Sequence, residues 1–105
     1  MIVQFKTKEL EKLYYTLLNE LKGKQKYSRG IIKQYKRKVQ LLEEIKNLEE
    51  LRPFKGLNFE YLKGDREGDC SIKLNDQFRL IFEPQKENSN AITIILITKI
   101  SKHYE

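Results

Sequence analysis

Leu62-Lys63-Gly64-Asp65-Arg66-Glu67-Gly68-Asp69-Cys70-Ser71-Ile72-Lys73-Leu74-Asn75-Asp76-Gln77-Phe78-Arg79-Leu80-Ile81-Phe82-Glu83 is the stretch around which the chain is organised. It opens on a tight loop punctuated by Gly64 and Gly68, which carries Lys63 and Arg66. Two short strands are expected next, Cys70 to Asn75 and Gln77 to Glu83, with Asn75-Asp76 at the bend. Asn and Asp tolerate the positive φ that such hairpin turns need. Side chains alternate across a strand, so Cys70, Ile72 and Leu74 share one face and Ser71, Lys73 and Asn75 the other. On the second strand Phe78, Leu80 and Phe82 point one way, and Gln77, Arg79 and Ile81 the other. An apolar face therefore backs a polar one on which Lys73 and Arg79 are expected to converge, a floor suited to an anionic ligand.

Upstream of the hairpin, Ile2 to Phe5 alternates as a short strand. Thr7 is placed to cap a helix, with Glu9 and Glu11 complementing its dipole. Leu10, Leu13, Tyr14, Leu17, Leu18 and Leu21 recur at spacings of three and four, and Gly23 ends that helix. Ser28 is the next cap. Ile31, Tyr35, Val39, Leu42, Ile45 and Leu48 mark one face of a longer helix that Pro53 stops. Its first half is basic and its second acidic, opposite to what the macrodipole favours, which hints that the basic half serves binding.

Phe54 to Tyr61 reads as a loop or short strand, and Pro84 to Asn90 as a polar turn. Ala91 to Ile100 is the last strand, apolar on both faces from Ile94 to Ile97 and so placed centrally, covered on both sides. Strand, helix, helix, then three or four strands gives an α+β fold: a helical pair on one face of a small, mainly antiparallel sheet. Cys70, Tyr14, Tyr15, Phe78 and Phe82 read as core rather than as chemistry.

The 105 residues form one expected domain, 1–105, large enough to bury about 65% of its unfolded-state surface. No stretch approaches the roughly 18 consecutive apolar residues of a membrane span, and the start lacks the pattern of a signal peptide. One cysteine excludes an internal disulfide and suits a reducing cytosol; with one histidine beside it, a zinc site is not expected. No Walker loop, dinucleotide fingerprint or Ser/His/Asp set is present. The net charge of +6 is concentrated in the first half. Residues 21–42 hold Lys22, Lys24, Lys26, Arg29, Lys33, Lys36, Arg37 and Lys38 without one acid, a block suited to a polyanion or an acidic protein segment. A solvated helix face is the plainer explanation.

Leu62-Lys63-Gly64-Asp65-Arg66-x-Gly68, then Ser71-Ile72-x-x-Asn75-x-Gln77 and Phe78-Arg79-x-x-Phe82, resembles the HigB branch of the RelE/ParE toxins. The opening Met1-Ile2-x-x-Phe5-Lys6 and the order of elements match as well, so the resemblance covers nearly the whole chain. It implies a RelE-like fold and a toxin of a type II toxin–antitoxin system. The implied activity is a ribosome-dependent mRNA endonuclease, cytoplasmic, with no metal or cofactor. The implied partners are mRNA on the ribosome, ribosomal RNA and a HigA-like helix-turn-helix antitoxin, with no membrane. Alternatives on the same scaffold are a ParE-like gyrase poison and a catalytically silent ribosome- or RNA-binding module.

Cutting RNA without a metal requires deprotonation of a 2′-OH, neutralisation of charge at phosphorus and protonation of the leaving 5′-oxygen. Arg79 suits the phosphate, since its guanidinium engages two oxygens at once and strand parity puts it on the polar face. The plain alternative is a surface arginine paired to an acid. Lys63 and Arg66 are candidates for the RNA backbone or charge neutralisation, and Lys73 for a further RNA contact. Lys33, Lys36 and Arg37 of the basic block, with Lys102, are expected to bind RNA. His103 is the sole histidine and the natural proton carrier near neutrality. Family members often end in Asp-Tyr-His where this chain has Lys102-His103-Tyr104, so the acid is gone and His and Tyr are exchanged. The resemblance gives His103 the acid/base role and Tyr104 base stacking or hydrogen bonding. Glu60 stands where some relatives carry a His and is the reserve base.

Overall fold

The computed structural model describes residues 1–86 and 91–102. Its five-stranded sheet has the order β1-β5-β4-β3-β2. The strands are β1 (Ile2–Phe5), β2 (Glu60–Tyr61), β3 (Cys70–Lys73), β4 (Phe78–Lys86) and β5 (Ile92–Lys102). β1 runs parallel to β5, and every other pairing is antiparallel. Helices α1 (Lys8–Tyr15) and α2 (Arg29–Glu44) supply Leu10, Ile31, Tyr35, Val39 and Leu42 to a core shared with Cys70, Ile72, Leu80, Phe82, Ile95 and Ile97. All the sheet residues in that core lie on one face, so the helical layer covers one side only. This is the α+β arrangement expected from the sequence.

Thr7 and Ser28 cap the two helices, each hydroxyl accepting from the backbone N–H three residues on at 3.2 Å. Both helices are shorter than the leucine pattern suggests. α1 stops at Tyr15 because the Lys36 ammonium takes the carbonyls of Tyr14, at 2.7 Å, and of Thr16; Leu18–Glu20 is a separate 3-10 turn and Leu17 is exposed. A cation on a helix C-terminus is favourable, which compensates part of its desolvation. α2 stops at Glu44, well before Pro53. The Met1 ammonium accepts the role of a C-terminal cap there, donating to the carbonyls of Glu43 at 2.8 Å and Ile45 at 2.7 Å. Glu50 then receives the N–H groups of Lys46 and Asn47 and starts a separate 3-10 turn, Leu48–Leu51.

The central hairpin turns differently from the expected bend. Neither Asn75 nor Asp76 has a positive φ; the Asn75 side-chain oxygen instead accepts from the N–H groups of Gln77 and Phe78, both at 2.8 Å. β3 is shorter than expected and β4 longer, running through Pro84 to Lys86 into the expected turn. Pro84 is tolerated because the β3 ladder ends at Cys70 and Phe82, leaving β4 only one neighbour beyond that point. Residues 87–90 of the expected turn lie outside the described residues. β5 is an inner strand, as expected, but it is not sealed on both faces: Ile95 and Ile97 are fully buried, Ile94 and Leu96 only half.

Phe82 is core, and Phe78 is half-buried against Tyr27. Tyr15 is 65% exposed, contrary to its core assignment, because α1 has ended and its ring lies against the edges of Phe5 and Tyr14. The deepest tie between the helices is Tyr35, fully buried, whose hydroxyl donates to the Leu10 carbonyl at 2.7 Å. Tyr35→Phe should lower the unfolding free energy by about 1 kcal/mol. Tyr35→Ala should cost roughly 3–5 kcal/mol. Urea unfolding followed by circular dichroism measures both.

Candidate active site

Arg79 stands in β4, opposite Lys73 of β3 and Ser101 of β5, on the sheet face away from the helices. It is only 9% exposed. Its Nε–H donates to the Ser71 hydroxyl at 2.9 Å, and Nη2 donates to the Asn58 carbonyl at 2.5 Å. Nη2 also lies 3.9 Å from the Glu60 carboxylate, beyond hydrogen-bond length. Ser71 is brought to Arg79 by strand parity, and Glu60 because β2 pairs it directly with Ser71. Asn58 holds a left-handed backbone (φ 45°, ψ 51°), which Asn accepts more readily than most residues, and this turn leads the chain into β2.

Above this face the loop expected from Gly64 and Gly68 is present, with both glycines at positive φ (71° and 100°). Leu62 N–H to Asp69 carbonyl and Asp69 N–H to Arg66 carbonyl, each 2.9 Å, close it over the sheet. The result is a small pocket of about 110 Å³ lined by Arg66, Arg79, Lys102 and Glu60, with Ser71 and Ser101 and the apolar Leu62 and Ile81. Three cations and one carboxylate around so small a space suit a single phosphate-sized anion beside a proton acceptor.

Of the residues singled out in the sequence, Arg79, Arg66, Glu60 and Lys102 are brought together here. Lys63 is exposed and does not line the pocket. Lys73 does not converge on Arg79 as expected: its ammonium pairs with Asp76 in the hairpin turn at 2.9 Å, holding that carboxyl below its ordinary pKa. Lys33 and Arg37 are exposed on α2, in the helical layer on the other side of the sheet. Lys36 serves the end of α1, and partial burial lowers its pKa. His103 and Tyr104 lie outside the described residues. Asn58, Ser71 and Ser101 escaped the sequence reading. Ser71 shares a strand face with Lys73 and could have been found by asking what a buried arginine would donate to; nothing local marks Asn58.

A model of the RelE-like toxin of type II toxin–antitoxin system HigB matches residues 3–96. The chain is also similar to Toxin HigB-1 of Vibrio cholerae serotype O1, 35% identical over 83 residues that span 79% of this chain and 83% of that one. The chain belongs to the HigB-like toxins. As a type II toxin it implies an antitoxin partner. Its fold is similar to that of the YoeB/ParE toxin from Agrobacterium tumefaciens, with a TM-score of 0.60 and 16% identity over 99% of this chain and 100% of that one. No helix among the described residues is long and apolar enough to cross a membrane.

Cys70, the single cysteine of the toxin, is fully buried on the helix-facing side and not on the pocket side. Burial, with the Asp69 carboxylate adding to it, pushes its thiol from 9.0 up to about 12. An ionised thiolate is thus favoured in the unfolded chain at lower pH than in the folded one. The stability this provides is complete below pH 9.0 and is lost as pH rises toward about 12. In thiol titration with a disulfide reagent at pH 8, the native toxin should be inert and the urea-unfolded toxin should react with one equivalent. Cys70→Ala should flatten the fall in stability above pH 9.

Proposed function

We propose that this toxin is a ribosome-dependent endoribonuclease that cuts messenger RNA during translation in the bacterial cytoplasm. The observation that supports it is the Glu60 carboxylate 3.9 Å from a buried Arg79 guanidinium, in a pocket shared with Arg66 and Lys102. Arg79 and Arg66 hold the non-bridging oxygens of the scissile phosphate and neutralise the charge that grows there. Glu60 takes the proton of the neighbouring 2′-OH, whose oxygen bonds to phosphorus. The bond from phosphorus to the 5′-oxygen breaks, leaving a 2′,3′-cyclic phosphate upstream and a 5′-OH downstream. His103 returns a proton to the leaving oxygen, with Tyr104 against a base and Lys102, the residue before them, on the RNA backbone. Exposed Lys33 and Arg37, with Lys63, bind ribosomal RNA.

Arg79 is suited to its role because Ser71 and Asn58 fix its plane before substrate arrives, so little ordering is left to do at the moment of reaction. Lysine in its place keeps the charge and loses the planar fork.

Primer extension on a reporter message in a cell-free translation reaction tests the proposal. New 5′ ends should appear only while the message is translated. Arg79→Ala should reduce them by roughly 10²–10³-fold. Glu60→Gln and His103→Ala should each reduce them by about 10²–10⁴-fold. Intact message with translation blocked would overturn the nuclease and leave a ribosome binder. Intact message with normal translation would exclude ribosomal action altogether and direct attention to gyrase supercoiling.

A further inference from the structure

A second concavity, a groove of about 420 Å³, lies between α2 and the end of the β3–β4 hairpin. Phe54, Leu57, Leu41 and Leu74 form its apolar part, and Lys38 and Lys73 its polar part; none of the lining residues is acidic. Phe54 is 53% exposed, an unusual state for a phenylalanine on so basic a surface. Among the described residues, only one of the two lysines is paired with an acid. The Lys38 ammonium donates to the neutral amide of Gln34 at 3.2 Å, and Lys73 meets Asp76, which is almost wholly in water. Burial, and after it the neighbouring Arg37 guanidinium, lower the Lys38 pKa.

We infer that this groove is a binding subsite for single-stranded RNA, in which an unpaired base stacks on Phe54 and the flanking phosphates lie against Lys38 and Lys73. An aromatic ring accepts any base through its π-face, while cations in the same groove follow the backbone. The groove and the cutting pocket are lined by different residues, but two neighbours in the backbone link them. Lys73 is the direct cross-strand neighbour of Arg79, and the Lys55–Leu57 turn that walls the groove ends at Asn58, whose carbonyl holds Arg79. The proposed strand therefore passes from Arg79 by way of its cross-strand neighbour Lys73 to the groove. The inference builds on the proposed RNA-directed activity and gives it a second point of contact with substrate.

The chain has no tryptophan, so Phe54→Trp creates a single fluorophore in the groove, and circular dichroism checks that the fold is retained. A short unstructured oligoribonucleotide should quench it saturably. With Lys38→Gln and Lys73→Gln added, affinity should fall by roughly 10-fold or more, and the slope of log K against log salt should become shallower by about 1.4, the value for two phosphates on a single strand. In the otherwise unchanged toxin, Phe54→Ala should weaken binding of a labelled oligoribonucleotide roughly 10-fold, and Phe54→Tyr should preserve it. Absence of quenching overturns the inference. Equal quenching by inorganic polyphosphate reduces the groove to an anion patch and overturns base stacking. Quenching by the purified antitoxin and not by RNA overturns it in favour of a protein contact. Translation-dependent cutting with no quenching sinks the groove alone, and quenching with no cutting sinks the nuclease alone.

Discussion

A guanidinium held almost entirely out of water governs the polar side of this protein. Arginine keeps its proton at any ordinary pH, so Arg79 cannot escape the cost of burial by becoming neutral. Its charge must be met by fixed acceptors, and those come from separate parts of the chain: the Ser71 hydroxyl on β3, the Asn58 carbonyl before β2, and more distantly Glu60 on β2. The two-residue strand β2 has little pairing of its own to define its place. Satisfying Arg79 from both Asn58 and Glu60 gives it a reason to sit in one register. Of these partners only the neutral ones are at hydrogen-bond length, and the carboxylate stands off. The guanidinium is therefore oriented by neutral acceptors, while its charge is faced by the Glu60 carboxylate at 3.9 Å.

The helical layer solves a different electrostatic problem. α2 carries basic residues at its start and Glu43 and Glu44 at its end, against its own dipole. Cations from elsewhere are placed where that arrangement needs them. The Met1 ammonium occupies the end of α2, and Lys36, from the middle of α2, occupies the end of α1. The Tyr14 hydroxyl donates to Glu43, and burial, with this contact adding to it, raises the tyrosine pKa. The inverted polarity of α2 is thus partly absorbed by the structure, and only part of the basic block remains for partners.

Elements with a strong period were legible in the sequence: β1, both helices, the central hairpin, and the parity that sends Cys70 inward and Arg79 outward. What failed were lengths and ends. Leu17 and Leu18 continue the leucine spacing of α1, yet Lys36, twenty residues away, terminates that helix through Thr16. Ile45 and Leu48 continue the pattern of α2, yet Glu50 turns its carboxylate back on Lys46 and Asn47. A hydrophobic period records which face is buried, not whether the backbone between buried residues stays helical. At the site, Arg79, Arg66, Glu60 and Lys102 could be named from parity, loop chemistry and resemblance. Ser71 and Asn58 could not, because their importance exists only once a buried cation needs acceptors. Lys73 failed for a related reason: sharing a face with Arg79 does not fix where a flexible side chain ends, and Asp76 lay closer.

The distribution of the remaining cations bears on how large the partner must be. Arg79, Arg66 and Lys102 open on one side of the sheet, whereas Lys33 and Arg37 are exposed on the helical side. One extended strand of RNA cannot lie on both sides of a sheet and its helical layer at once. Lys38 and Lys73 stand between, at the edge where the groove meets the hairpin. If a message strand runs from the pocket into the groove, as proposed, the cations of α2 must face something else. A polyanion that surrounds the message satisfies this geometry, and naked mRNA does not. Under the proposed function, dependence on the ribosome follows from where the charge lies: the second cationic face adds electrostatic affinity to that of the small pocket.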